Sequence, residues 1–454
     1  MKIAIRLFTV FALAGFALAS CEGPMGPKGD NGADGTDANE TCKTCHSPDV
    51  VGQKATEFEF SKHSYGEAAL EEGGVVACAP CHESEAFKYV CKNNTPSTFT
   101  IPAGKTTYSN DYATAYTAAI GEINCNTCHP NLHKTYTEDD FLPLTTTAAV
   151  SMTMWKGTKT INLASDGGIS NLCVKCHQPR PLTTSSTLSD GDVVDYNSLT
   201  TNLNALFYDN TQSATSKPTT NKIAPSYRTH VHYGGVGAIY AGIGGVEFPG
   251  TVTYQSSAHT TAASCQDCHM AAIYGRAGGH TFKVRNAIGA LTSQTSWNFN
   301  SCNTTGCHAS AINSTSTTFW TTTRTEIKTL LNSLAAKINA VGGGTNILHS
   351  ETDGELNPWA GITTGNFDGY LNIYDPSTNP SGVWKNPAPG TSWTQPQKDT
   401  NNALPIFPSL KNAVIGSMIN FQLCLREFSL GIHNYKYTKA LLQNSIESMA
   451  IAGY

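Results

Sequence analysis

The chain has 454 residues, 39% of them hydrophobic and only 14% charged, so it is long enough for a sizeable core and too uncharged for a disordered or highly charged class. Its net charge of −5 disfavours nucleic acid and anionic membrane surfaces as partners. Fifteen cysteines and fourteen histidines turn attention to metal, cofactor or disulfide chemistry.

Lys2 and Arg6 precede an apolar run from Leu7 to Leu18 that is too short to span a bilayer and reads as an export signal over 1–20. Leu18-Ala19-Ser20-Cys21 resembles a bacterial lipobox, which implies cleavage before Cys21 and lipidation of that residue. Ordinary cleavage with Cys21 left over is the alternative. No later segment is apolar enough to cross a membrane. The expected location is therefore outside the cytoplasmic membrane. Either the protein is lipid-anchored at the outer membrane or cell surface, or it is extracellular or periplasmic. Gly23, Gly26, Gly29, Gly32 and Gly35 then recur at a strict period of three, with Pro24 and Pro27 between them. Five collagen-like triplets are too few for a stable triple helix, so 21–39 is expected to be an extended tether. Weak trimerisation is the other reading.

Five CxxCH motifs follow: Cys42/Cys45/His46, Cys78/Cys81/His82, Cys125/Cys128/His129, Cys173/Cys176/His177 and Cys265/Cys268/His269. A sixth is stretched, Cys302 to Cys307 and His308, with four residues between the cysteines. CxxCH is the attachment pattern of c-type haem: two thiols form thioethers and the next histidine binds iron from one face. Structural zinc or disulfides would not need a histidine after every second cysteine. The expected cofactors are six haem c, spread over 40–312 with no fixed period between motifs.

Twelve cysteines belong to these motifs and one is Cys21, leaving Cys91 and Cys424. Two leftover thiols in an oxidising compartment form either a disulfide or two buried free thiols, and the sequence leaves both open. Six histidines are proximal and eight remain: His63, His133, His230, His232, His259, His280, His349 and His433. Six irons held by two histidines each need six of those eight. His63 and His259 lie just upstream of the second and fifth motifs, and His133 follows His129 by four residues, a spacing that would put both on one face if the segment were helical. His280 follows the fifth motif in Gly278-Gly279-His280, and His433 sits at a helix start in Gly431-Ile432-His433-Asn434. Of His230 and His232, His232 is the expected ligand, and His349 is the expected bystander. The distal set is thus His63, His133, His232, His259, His280 and His433.

With these motifs the chain resembles the multihaem c-type cytochromes of bacteria. The stretch from His232 through Gly244-Gly245 to Cys265–Met270, and the tail Ser429–Thr438, resemble segments of relatives of the pentahaem nitrite reductases and octahaem hydroxylamine oxidoreductases. The resemblance covers 40–310 and 405–450. It departs from the nitrite reductases in lacking a CxxCK motif. It implies a mainly α fold with much irregular loop, little sheet, and haems forming much of the core.

Farther along, Thr183 to Lys222 is Thr/Ser/Asn-rich and reads as exposed loop. Phe319 to Ala340 reads as an amphipathic helix with Ile327, Leu330, Leu331, Leu334 and Ile338 on one face. Within 313–404, residues after 341 read as a long surface excursion. In 405–454, Ser409 to Leu430 reads as a helix, and Asn434 caps another running to about Met449.

Iron held by two imidazoles has no vacant position, so the expected role is electron transfer along bis-histidine haems. Partners would be other redox proteins or extracellular acceptors. A homo-oligomer or filament in which one chain's histidine completes a neighbour's haem is a variant of this reading. The alternative is a reductase of nitrite, hydroxylamine or a sulfur oxyanion, which needs one open iron. No catalytic residue stands out.

Overall fold

The computed structural model describes residues 46–65, 78–93, 121–146, 148–156, 158–163, 166–182, 194–209, 231–232, 234–286, 297–303, 306–308, 312, 318–341, 348–350, 367–371 and 409–454. The export signal, Cys21, the glycine tether, Cys42, Cys45 and His230 lie outside them, as do the side chain of His349 and most of the excursion after 341. The described chain is mainly helical with little sheet. Its strands form three two-stranded antiparallel pairs: β1 (Val150–Ser151) with β2 (Thr160–Ile161), β3 (Leu206–Asp209) with β6 (Ser409–Lys411), and β4 (Leu348–Ser350) with β5 (Phe367–Leu371). None of the described helices is long and apolar enough to cross a membrane.

The short helices come first. They are α1 (Gln53–Glu59), α2 (Lys62–Tyr65), α3 (Ala79–His82), α4 (Ser84–Lys92), α5 (Cys125–Cys128), α6 (Ile169–Val174), α7 (Tyr196–Thr201), α8 (Val236–Ala241), α9 (His259–Ala262) and α10 (Cys265–His269). Three long ones follow: α11 (Thr318–Ala340), α12 (Asn412–Arg426) and α13 (Tyr435–Ile451). Below about a dozen residues a helix is marginal by itself, so the ten short ones depend on what they pack against.

α4 packs Phe87 and Cys91 in a small cluster with Leu172, whereas for α6, α7 and α8 that support is an extensive apolar core centred on α12, every residue of which is buried. α11 lays Ile327, Leu331, Leu334 and Ile338 on this core, on the face its sequence periodicity marks, while Leu330 is half-buried at its edge. α12 is shorter than the sequence suggests. Ser409–Lys411 pair as a strand with β3, and the helix stops at Arg426, ahead of residues 427–433 with Phe428 and Leu430 at positive φ. α13 begins where Asn434 accepts the backbone N–H of Tyr437 at 3.3 Å.

Residues 194–209 correct the loop expected over Thr183 to Lys222. They form α7 and β3 and bury Val194, Tyr196, Leu199 and Phe207 in the same core. Asp195 caps α7 by accepting from Asn197 N–H at 3.0 Å. The polar composition concealed four apolar side chains whose burial depends on α12, a partner two hundred residues away.

Polar side chains of α12 and α13 hold the irregular segment between His232 and His259. Buried Asn420 accepts from Val246 N–H and donates to Val246 C=O, both at 2.7 Å, like a neighbouring strand. Asn444 treats Val252 the same way, at 3.1 and 2.9 Å. Tyr437 hydroxyl accepts from Gly245 N–H at 3.0 Å. Each pairs backbone groups that irregular chain would otherwise leave buried and unsatisfied.

Candidate cofactor site: six facing histidine pairs

The second, third and fifth attachment motifs fold into single helical turns, and the fourth begins in the last turn of α6. In a turn of helix the two cysteines of CxxC fall three apart on one face, with the histidine beside them. Two turns carry capping boxes, Asn124 with Thr127 ahead of Cys125 and Ser264 with Asp267 ahead of Cys265. The histidine N–H donates to the carbonyl of the motif's first cysteine at 3.1 Å in His82, 2.9 Å in His129 and 2.9 Å in His177. The stretched motif keeps that closure: His308 N–H donates to Cys302 C=O at 3.1 Å. Gly306, at φ +91°, turns the chain just ahead of Cys307, and the histidine still returns to its first cysteine.

Each proximal histidine faces one histidine from outside the motifs. Ring centres are 5.7 Å apart in His46–His133, 6.1 Å in His63–His177, 6.3 Å in His82–His232, 6.0 Å in His129–His280, 5.9 Å in His259–His308 and 6.1 Å in His269–His433. A metal–nitrogen bond of about 2 Å, with each nitrogen about 1 Å from its ring centre, sets two coaxial imidazoles about 6 Å apart. Ordinary aromatic neighbours also meet in this range. Packing alone, however, gives no reason for six motif histidines to take six different partners, one each. The residues therefore fit a metal held between two imidazoles beside a pair of thiols. Among the described residues no cluster of three or more His, Cys, Asp or Glu stands as an alternative metal site.

The surroundings of the imidazoles suit ligation. Where one ring nitrogen is engaged by an acceptor, the other is directed to the metal. His269 Nδ1 lies 2.9 Å from Phe282 C=O, His259 Nδ1 2.9 Å from Ile432 C=O, and His433 Nδ1 2.6 Å from the Glu427 carboxylate. Burial pushes His177 down to about 3, aided by the nearby imidazoles of His63, His269 and His433. Burial also lowers His63, His129, His269, His280 and His308. These rings stay neutral near pH 7, the form that binds metals. His133 and His232 sit at φ +62° and +76°, an uncommon backbone region for such residues, in keeping with a constraint at a functional site.

The pairs lie in one connected row. His129 and His133 share a short segment, which joins the His46–His133 pair to the His129–His280 pair. The Phe282 ring stands 6.0 Å from His280 and 4.9 Å from His63, so it bridges to the His63–His177 pair. Phe282 carbonyl then holds His269, and Ser170 at the start of α6 accepts Cys265 N–H at 3.1 Å. Ile432 and His433, adjacent in sequence, serve His259 and His269 respectively. The sixth pair, His82–His232, sits alongside: Cys81 Sγ donates to Lys175 C=O at 3.5 Å and Cys176 Sγ to Cys81 C=O at 3.7 Å. Close approach of α8 to the fourth motif requires Gly237, where a Cβ would fall 2.6 Å from His177 carbonyl oxygen.

Cys91 and Cys424 do not form the disulfide that the sequence left open. Both are free and buried, Cys91 against Phe87 and Leu172, Cys424 in the α12 core. Sequence reading missed Glu427, Glu57 and Asn434 as supports of the histidines. Asn434 was marked only as a helix cap, and nothing in the sequence ties Glu57 to His280 or Glu427 to His433. Protein-family models, curated proteins and solved structures were all compared with the chain, and none matches it.

Proposed function

We propose that this protein transfers electrons through six bis-histidine c-type haems. The observation that carries the reading is the one-to-one facing of six motif histidines by six others. When bound, haem supplies a one-electron carrier that cycles between ferric and ferrous iron. The chain's residues do the rest. Twelve cysteines anchor the rings: Cys42, Cys45, Cys78, Cys81, Cys125, Cys128, Cys173, Cys176, Cys265, Cys268, Cys302 and Cys307. His46, His82, His129, His177, His269 and His308 hold one face, and His133, His232, His280, His63, His433 and His259 hold the other. Acceptors at Nδ1 of His259, His269 and His433 would fix the orientation of those three rings. The α12–α13 scaffold holds the irregular segments in place, and the haem rings themselves supply further core between 40 and 310.

The contact row gives electrons a path from the His46–His133 end to the His259–His308 end. An exported, lipid-anchored protein with such a row would relay charge between respiratory proteins or outward to an extracellular acceptor. An open-iron reductase needs a motif histidine that lacks a facing imidazole, and each of the six has one. A filament sharing ligands across copies would need the same vacancy, and the six facing pairs argue against that variant. Carbon monoxide added to the dithionite-reduced native protein is expected to leave the visible spectrum unchanged. A Soret band that shifts on carbon monoxide addition would mean an open iron and favour the reductase.

A further inference from the structure

The six pairs are alike in spacing but not in what stands behind them. His259 and His269 direct Nδ1 to backbone carbonyls, neutral dipoles at 2.9 Å. His433 directs Nδ1 to the Glu427 carboxylate at 2.6 Å, the shortest of these contacts. The Glu427 side chain is 0% exposed. Three further contacts hold it: Ser429 hydroxyl at 2.7 Å from one oxygen and 3.0 Å from the other, and Gly431 N–H at 3.3 Å. Ser429 Oγ in turn accepts His433 N–H at 3.0 Å, so carboxylate, hydroxyl and ligand form one locked ring of bonds. Glu57 stands behind His280 in a weaker arrangement. Its nearest oxygen is 3.6 Å from Nδ1, beyond hydrogen-bond range, and Lys54 pairs with it at 3.0 Å.

We propose that Glu427 makes the iron between His269 and His433 the hardest of the six to reduce. The inference rests on the haem reading given above. A carboxylate accepting from Nδ1–H increases electron donation through the opposite nitrogen. Greater donation, and a buried negative charge that solvent ions cannot screen, both favour ferric over ferrous iron. The reduction itself adds one electron from the neighbouring carrier and breaks no bond. Arg324 interacts electrostatically with Glu427 and weakens its field, but it leaves the hydrogen bond in place. In the contact row this pair lies between the His63–His177 pair and the terminal His259–His308 pair. Glu427 therefore sets a step just before one end of the row, and electrons on either side of it are held apart until the driving force exceeds the step.

The test is a spectroelectrochemical titration of the holoprotein carrying Glu427→Gln, which keeps a hydrogen-bond acceptor without the charge. The most negative of the six one-electron transitions is expected to move upward by at least tenfold in its equilibrium constant, 59 mV for one electron, while the other five keep their order. A lowest transition that stays in place, in a variant that retains six haems and a low-spin spectrum, overturns the role of Glu427. If the variant does not fold, an EPR-monitored titration of the native protein decides: the low-spin signal with the strongest axial ligand field must be the last to disappear on reduction. Its loss among the first also overturns the proposal. Absence of haem would instead remove the underlying reading, so the two failures are distinct.

Discussion

Replacing His63 with glycine is expected to convert one iron in six into a carbon-monoxide-binding centre. His63 faces His177 at 6.1 Å, and His177 is the imidazole that burial depresses furthest, to about 3. On the proposed haem, removing the His63 ring would take away one of two nitrogen ligands and would leave Cys173, Cys176 and His177 to hold the group. The cofactor therefore stays attached and gains a vacancy. The reduced variant should shift about one sixth of its Soret intensity on carbon monoxide addition, since one centre of six is opened. Phe282 lies 4.9 Å from His63 and also faces His280, so the variant leaves a space beside a second pair. That second pair keeps both imidazoles and should stay silent to carbon monoxide. A variant that behaves like the native protein would remove His63 from the ligand set.

A substitution that touches no iron should have the largest effect on stability. Asn434 is fully buried and joins four segments. It accepts from Ser257 N–H and Ser257 hydroxyl, both at 2.9 Å, caps α13 through Tyr437 N–H at 3.3 Å, and donates to Tyr240 C=O at 3.3 Å. Asn434→Ala orphans several of these buried groups at once, and the loss should be about 3 kcal/mol. Because Asn434 lies between His433 and the segment leading to His259, the ligands of two neighbouring pairs should loosen together. Guanidinium melts of native and variant holoprotein measure the first effect, and low-spin intensity measures the second. A loss under about 0.5 kcal/mol, the usual range of a surface substitution, would mean that these bonds do not hold the segment.

Local chemistry was legible in the sequence, and tertiary pairing was not. The attachment motifs are contiguous, so Cys125, Cys128 and His129 declare themselves without help from the fold. The α11 face showed through Ile327, Leu331, Leu334 and Ile338 because a 3.6-residue period survives in one sequence. Asn434 was legible as a cap for the same local reason. In contrast, nothing near His308 points to His259, which lies at the start of α9 on the far side of a complete motif. Nor does the sequence connect Glu427 with His433, since a backbone with Phe428 and Leu430 at positive φ must turn the carboxylate back onto the ring. The strand and helix within 194–209 were hidden by polar composition, because their burial depends on α12. Cys91 and Cys424 were left over by elimination, with disulfide and free thiols both open, and the fold sends them to separate apolar clusters as free thiols.

The most direct measurement is the intact mass of the natively produced mature protein under denaturing conditions. Denaturant releases every cofactor held by axial bonds alone and keeps those held by thioethers. Six added haem masses on one polypeptide are the predicted result. A mature chain at its bare polypeptide mass would contradict the account, and with it the meaning given to the six facing histidines.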